Sequence, residues 1–126
     1  MKKATFLSTL LMFLAITMVV AHSVAAVFSW VETEHNFGKI KQGKPVVAEF
    51  KFTNTGEAPL IIKNAYGSCG CTGVEYPKEP IMPQKTGIIK ATFNAASMGA
   101  FNKTVTIESN AETGIVTLNI KGEVAE

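Results

Sequence analysis

The sequence contains neither arginine nor aspartate, and both absences narrow the functions that the chain can perform. Arginine provides the planar fork of donors that phosphate and base recognition favour, and the lysines of this chain are scattered rather than clustered. A nucleophilic site needs a base that a third polar group orients, and aspartate is a common choice for that group. We therefore expect no nucleic-acid partner, and a catalytic triad would lack one of its usual members.

Cysteine is scarce as well, because the chain has only Cys69 and Cys71, with Gly70 between them. A disulfide that joins two sheets, as in antibody domains, requires cysteines that are far apart in the sequence. This pair therefore cannot form a disulfide that links two sheets of a fold.

The N-terminus has the pattern of a secretory signal. Lys2 and Lys3 form a positive end, and residues 4–20 are an apolar run whose only polar members carry hydroxyl groups. A run of this length could also just cross a thin bilayer as an uncleaved anchor. The small residues that follow the run favour cleavage over anchoring.

The predicted cleavage site lies in the stretch AHSVAA, where Val24 and Ala26 occupy the small-residue positions. Residues 1–26 are therefore predicted to be a signal peptide that is cut between Ala26 and Val27. The protein is predicted to be exported to a bacterial periplasm or to the extracellular space, without membrane attachment after the cut.

Residues 27–126 are predicted to form one domain, since about 100 residues suffice to build a hydrophobic core. Of the 12 lysines, Lys2 and Lys3 leave with the signal, so 10 remain against 10 glutamates. The formal charge of the exported domain is then zero, and the basic character of the whole chain belongs to its signal.

Several segments of this domain alternate apolar and polar residues, which is the period of a β-strand with one buried face. In residues 46–53, for example, Val46, Ala48, Phe50 and Phe52 fall on one face, which we expect to be the core. Trp30 shares a face with Phe28 at the start of the domain and is also expected in the core.

Clusters of glycine, proline, asparagine and serine separate these segments. Short strands at this spacing predict an all-β fold, an immunoglobulin-like antiparallel β-sandwich of about seven strands. We interpret the proline-rich residues 76–87 as a crossover between the two sheets.

The spacing of the thiols leaves four alternatives open. In a straight strand, Cys69 and Cys71 would be about 6.6 Å apart along the chain, too far for a disulfide. Gly70 could adopt a positive φ and bring the sulfurs together. The pair could then form a small reversible disulfide, hold a soft metal ion, remain as buried thiols, or supply a nucleophile.

Metal binding and catalysis both depend on His35, the one histidine that remains after the predicted cut. A closed zinc site requires four ligands, whereas Cys69 and Cys71 could hold Cu(I) with His35 as a third candidate. We expect no catalytic residues and no cofactor other than such a soft ion, and hence a protein that is not an enzyme.

The ordered set of motifs in residues 32–124 resembles a family of secreted bacterial proteins catalogued as domain of unknown function 1573. The motifs are His35-Asn36-Phe37-Gly38, Phe50 with residues 52–56, Pro59-Leu60, residues 68–72 and Ser109-Asn110. The resemblance implies an immunoglobulin-like sandwich, similar in outline to the domains of hydin and abnormal-spindle proteins, which are binding or scaffolding modules.

Two functions remain as expectations. The first is a non-catalytic module that binds a protein partner or a cell-envelope component through its edge strands or loops. The alternative is thiol redox chemistry or soft-metal binding at Cys69, Gly70 and Cys71.

Overall fold

The computed structural model describes residues 24–126, so most of the predicted signal peptide lies outside the described residues. The described residues form eight strands: β1 (Phe28–Trp30), β2 (Glu34–Lys41), β3 (Val46–Asn54), β4 (Ile62–Gly67), β5 (Thr72–Glu75), β6 (Thr86–Phe93), β7 (Gly99–Ser109) and β8 (Ile115–Ala125). They form two four-stranded sheets, with the orders β1-β3-β6-β5 and β2-β8-β7-β4. The predicted immunoglobulin-like sandwich is therefore confirmed. Among residues 24–126, no helix is long and apolar enough to cross a membrane.

The core lies between the two sheets and follows the alternation of the sequence. Phe50 and Phe52 of β3 are fully buried, and Ala48 is 1% exposed. Leu118 and Ile120 of β8 face them from the other sheet and are also fully buried. Burial of this apolar surface is the main free-energy term that holds the two sheets together.

The beginning of the domain contributes a strand to each of the two sheets. Residues 28–34 are divided between β1, which pairs with β3, and β2, which belongs to the other sheet. β2 runs parallel to β8, although the sequence predicts an antiparallel sandwich. A bulge at Gly38, whose φ is +68°, interrupts the alternation of β2 and hides this strand from a period-two search.

The prediction that residues 76–87 cross between the sheets is wrong. This connection joins β5 to β6, which are antiparallel neighbours in one sheet. The chain instead changes sheets between β4 and β5, through the turn that contains the two cysteines. Because β5 has only four residues, the sequence pattern does not reveal it as a strand.

The side chain of Asn54, at the end of β3, links three parts of the chain. Its Oδ1 accepts hydrogen bonds from the backbone N–H groups of Val27 (3.2 Å) and Gly56 (3.0 Å). Its Nδ2 donates to the carbonyl oxygens of Ala58 (2.8 Å) and Ile81 (2.9 Å). Asn54 is fully buried, and these four bonds fix the N-terminal segment and the residue 76–85 connection to the sandwich.

Candidate functional site

The two cysteines lie in the crossover turn between β4 and β5, and the structure joins them by a disulfide. Their Cα atoms are 5.2 Å apart, which is shorter than the separation in a straight strand. The backbone N–H of Thr72 donates to the carbonyl oxygen of Cys69 at 3.3 Å and closes the turn. The turn thus supplies the bend that a disulfide between such close neighbours requires.

Gly70 does not have the role that the sequence predicts for it. Its φ is not positive, and a Cβ atom added there would meet nothing within 4 Å. The crowded glycine is Gly67, where a Cβ atom would lie 2.8 Å from the Thr72 Cβ and 2.9 Å from the Thr72 carbonyl oxygen. The close approach of Gly67 to Thr72, rather than a positive φ at Gly70, allows the chain to cross between the sheets here.

The disulfide is half-buried and lies beside the hydroxyl group of Thr72. The Thr72 Oγ1 is 3.8 Å from the Sγ of Cys69 and 3.9 Å from the Sγ of Cys71. Because a disulfide has no S–H group, the hydroxyl is the only possible donor, and its single proton can point to either sulfur. A cavity of about 180 Å³ adjoins Cys71, and its wall includes Met98 and Lys103. Redox activity of the pair stays a prediction.

The structure does not bring His35 to the cysteines. His35 lies on β2 and the cysteine turn follows β4, and these are the two outer strands of one sheet. Three strand spacings, about 14 Å, therefore separate them. The Nδ1 of His35 is 3.0 Å from the Oε1 of Glu32, and Glu34 forms an ion pair with Lys121. Within residues 24–126, no cluster of three histidine, cysteine or acidic side chains is placed to hold a metal ion.

A different feature, which the sequence does not reveal, lies at the opposite edge of the sandwich. The chain passes from one sheet to the other between β1 and β2 and leaves a cavity of about 220 Å³. The residues that line this cavity are Val27, Phe28, Trp30, Glu112, Thr113 and Val116.

Trp30 forms the floor of this cavity. Its ring stacks on Phe28 with the centroids 4.8 Å apart and lies 5.1 Å from the ring of Phe52. The indole Nε1 is buried, and it has no hydrogen-bond partner among the described residues.

The cavity adjoins a stretch of β8 that has a partner strand on one side only. β2 pairs with β8 from Asn119 onward, whereas residues 115–118 pair only with β7. The Ser109 N–H donates to the Gly114 carbonyl, so these two residues form a hydrogen-bonded pair of the antiparallel ladder. Hydrogen-bonded and non-hydrogen-bonded pairs alternate along such a ladder. Thr117 therefore falls in a non-hydrogen-bonded pair, and its N–H and C=O point away from β7. We call this unpaired edge, residues 115–118, together with the cavity beside Trp30, the Trp30 groove.

Comparison with solved structures places the fold among immunoglobulin-like domains. A protein of unknown function from Porphyromonas gingivalis W83 superposes with a TM-score of 0.71 and 14% identity, over 86% of this chain and 51% of that one. The secreted serine protease VesC from Vibrio cholerae superposes with a TM-score of 0.62 and 14% identity, over 78% of this chain and 23% of that one. The PapD-like domain 7 of human CEP192 superposes with a TM-score of 0.63 and 9% identity, over 88% of this chain and 94% of that one.

These likenesses show the fold alone, because all three identities are low. This chain spans about half of the Porphyromonas protein and about a quarter of VesC. No match was found among curated proteins. A family model described as protein of unknown function (DUF1573) matches residues 28–124, which confirms the resemblance drawn from the sequence.

Proposed function

This chain belongs to the DUF1573 family of proteins of unknown function, and we propose that it is an exported, non-catalytic module that binds an extended segment of a partner protein. The observation that carries the proposal is the Trp30 groove, which combines an unpaired strand edge with an apolar cavity. Proteins that bind peptides by strand addition use these same two elements, one for affinity and one for specificity.

The unpaired edge supplies the backbone part of the interaction. An incoming strand alongside residues 115–118 would continue the row that β2 begins at Asn119. The N–H and C=O groups of Thr117 face this position, so they would form the first pair of ladder bonds. Of the other edges of the sandwich, β1 is less suited because it has only three residues, and β2 and β4 are less suited because they carry bulges.

The cavity supplies the side-chain part of the interaction. Phe28, Trp30 and Val116 give it an apolar wall, which favours an apolar side chain of the incoming segment. Ile115 in the groove is 64% exposed, and Val31, which follows Trp30 in the chain, is 77% exposed, so both present apolar surface to solvent.

The arrangement of polar groups supports a binding function rather than a catalytic one. His35 is engaged with Glu32 and lies about three strand spacings from the cysteines, so the two parts of a thiol nucleophile are separated. VesC is a protease, but the match covers only 23% of it, and this likeness carries no activity to the present chain.

The location that we propose, a bacterial periplasm or the extracellular space, is supported by the charged end and apolar run of the N-terminus. The partner is a protein or another component of the cell envelope with an extended segment. We propose no cofactor.

A library of displayed peptides, screened against the purified domain, tests this function. We expect the selected peptides to bind wild-type protein and Thr117→Val equally, because valine keeps the backbone N–H. Thr117→Pro removes that N–H at an edge position that tolerates proline, and it should weaken binding about tenfold. The proposal would be overturned if a correctly folded Thr117→Pro variant bound the peptides as tightly as the wild-type protein. It would also be overturned if no selected peptide protected the Thr117 amide from hydrogen exchange.

A further inference from the structure

The short segment that precedes β1, residues 25–27, is built into the sandwich. Ala26 is only 1% exposed and belongs to the core cluster. It also forms a parallel bridge with Ala111, in the loop between β7 and β8. The core of the domain therefore begins before Val27.

The carbonyl groups of this segment hold two loops in place. The Ala25 oxygen accepts hydrogen bonds from the N–H groups of Glu57 (3.0 Å) and Ala58 (3.3 Å). The Ala26 oxygen accepts a bond from the N–H of Glu112 (2.9 Å). Three backbone donors from two loops thus depend on two alanine residues.

The loop after β3 is shaped around the same segment. A Cβ atom at Gly56 would overlap the Ala25 oxygen and would lie 2.7 Å from the Val27 nitrogen. Gly56 is buried, and its φ is not positive, so the close approach of the segment is what requires glycine here. Because the loop is shaped around residues 25 and 26, we infer that these residues remain part of the folded domain.

A cut between Ala26 and Val27 conflicts with this arrangement. It would remove Ala26 from the core and would leave the N–H groups of Glu57, Ala58 and Glu112 without their acceptors. Each change costs free energy of folding.

We propose that the signal is cut earlier, between Ala21 and His22, so that residues 25 and 26 stay with the exported domain. Val19 and Ala21 repeat the pattern of small residues that Val24 and Ala26 present, and the resulting signal of 21 residues has an ordinary length. A signal peptidase would hydrolyse this bond with one water molecule, leaving a carboxylate on Ala21 and a new amine on His22. The choice of bond rests on sequence, because residues 19–22 lie outside the described part of the chain, and the inference rests on the proposed export.

The intact mass and N-terminal sequence of the protein, purified from the periplasm of a host that expresses the full chain, test this inference. We expect the chain to begin at His22. A chain that begins at Val27 would overturn this inference while leaving export in place. A chain that retains Met1 would overturn both, so the two failures are distinguishable.

A second measurement compares purified chains that begin at Val24, Ala25 or Val27. Val24 is 62% exposed, so the chain that begins at Ala25 is the matched control and should melt at the same temperature as the first. The chain that begins at Val27 should melt roughly 10 °C lower, because three hydrogen bonds and a buried side chain are lost. Equal melting temperatures for all three chains would contradict the inference.

Discussion

Two glycines stand within three residues of each other at the cysteine turn, and they differ in the space around them. A Cβ atom at Gly67 would collide with the side chain and the carbonyl of Thr72, whereas nothing lies within 4 Å of the position where a Gly70 Cβ would be. A side chain at Gly67 would therefore push β4 away from β5, and one at Gly70 would point into solvent.

We predict that Gly67→Ala destabilises the protein by about 1–3 kcal/mol, the usual cost of overpacking. Gly70→Ala is the control, and its free energy of unfolding should change by less than about 0.5 kcal/mol. Urea denaturation of the two variants measures both values. A larger loss for Gly70→Ala than for Gly67→Ala would show that the turn requires glycine between the cysteines.

Asn54 is a second position where we expect a single side chain to contribute strongly to the stability of the fold. Asn54→Ala would leave four backbone groups unpaired, those of Val27, Gly56, Ala58 and Ile81, and should cost about 3–4 kcal/mol. Asn64→Ala, which removes a bond to the adjacent Ala65 on an exposed strand, should cost less than about 1 kcal/mol. Denaturant unfolding compares the two variants, and similar losses would show that the Asn54 bonds contribute little.

At the scale of elements, the disulfide joins the end of β4 to the start of β5 and encloses a ring of only three residues. Chain entropy gives a ring of this size a stabilisation of about 1.5 kcal/mol. The strands on either side are held independently, β4 by β7 and β5 by β6. The disulfide is therefore not required for the crossover to form.

We predict that the double variant Cys69→Ser, Cys71→Ser keeps the fold and loses about 1.5 kcal/mol in its free energy of unfolding. Wild-type protein measured with a thiol reductant should match the variant, whereas the variant itself should not respond to the reductant. An unfolded variant would show that the crossover depends on the disulfide. A wild-type protein that ignores the reductant, with both thiols free to alkylate, would show that the bond does not form.

The elements that the sequence predicts well are those with a long, unbroken alternation. The inward residues of β3, Ala48, Phe50 and Phe52, are buried as expected, and so are Leu118 and Ile120 of β8. β2 and β5 escape prediction because a bulge breaks the period of the first and the second is too short to have one. The sequence also fails to predict that the 76–87 connection stays within one sheet, because that prediction requires β5 to be recognised as a strand.

At the scale of the whole molecule, the Trp30 groove exists because β2 begins late against β8. Trp30 and Phe28 are visible in the sequence as a pair on one face, and they do pack together. Whether they line a filled core or an open groove depends on the register of β2 with β8, which begins at Asn119. Register of this kind is set by tertiary packing and cannot be taken from the alternation of either strand alone.

Hydrogen exchange tests the groove without any knowledge of the partner. Val116 and Leu118 are in register with β7 residues that bond to them, whereas the Thr117 amide faces the unpaired side. We predict that the Thr117 amide exchanges about 100-fold faster than those of Val116 and Leu118, because it needs no opening of the ladder. Equal protection of the three amides would mean that another segment covers the edge.

The parallel pairing of β2 with β8 also determines how the domain carries mechanical load. Residue 34 is opposite residue 119 and residue 41 is opposite residue 125, so the two strands run side by side in one direction. A pull on the N-terminal side of β2 and on the C-terminal end of β8 acts along the strands in opposite senses. The hydrogen bonds between them are then loaded in shear and together, rather than opened one after another.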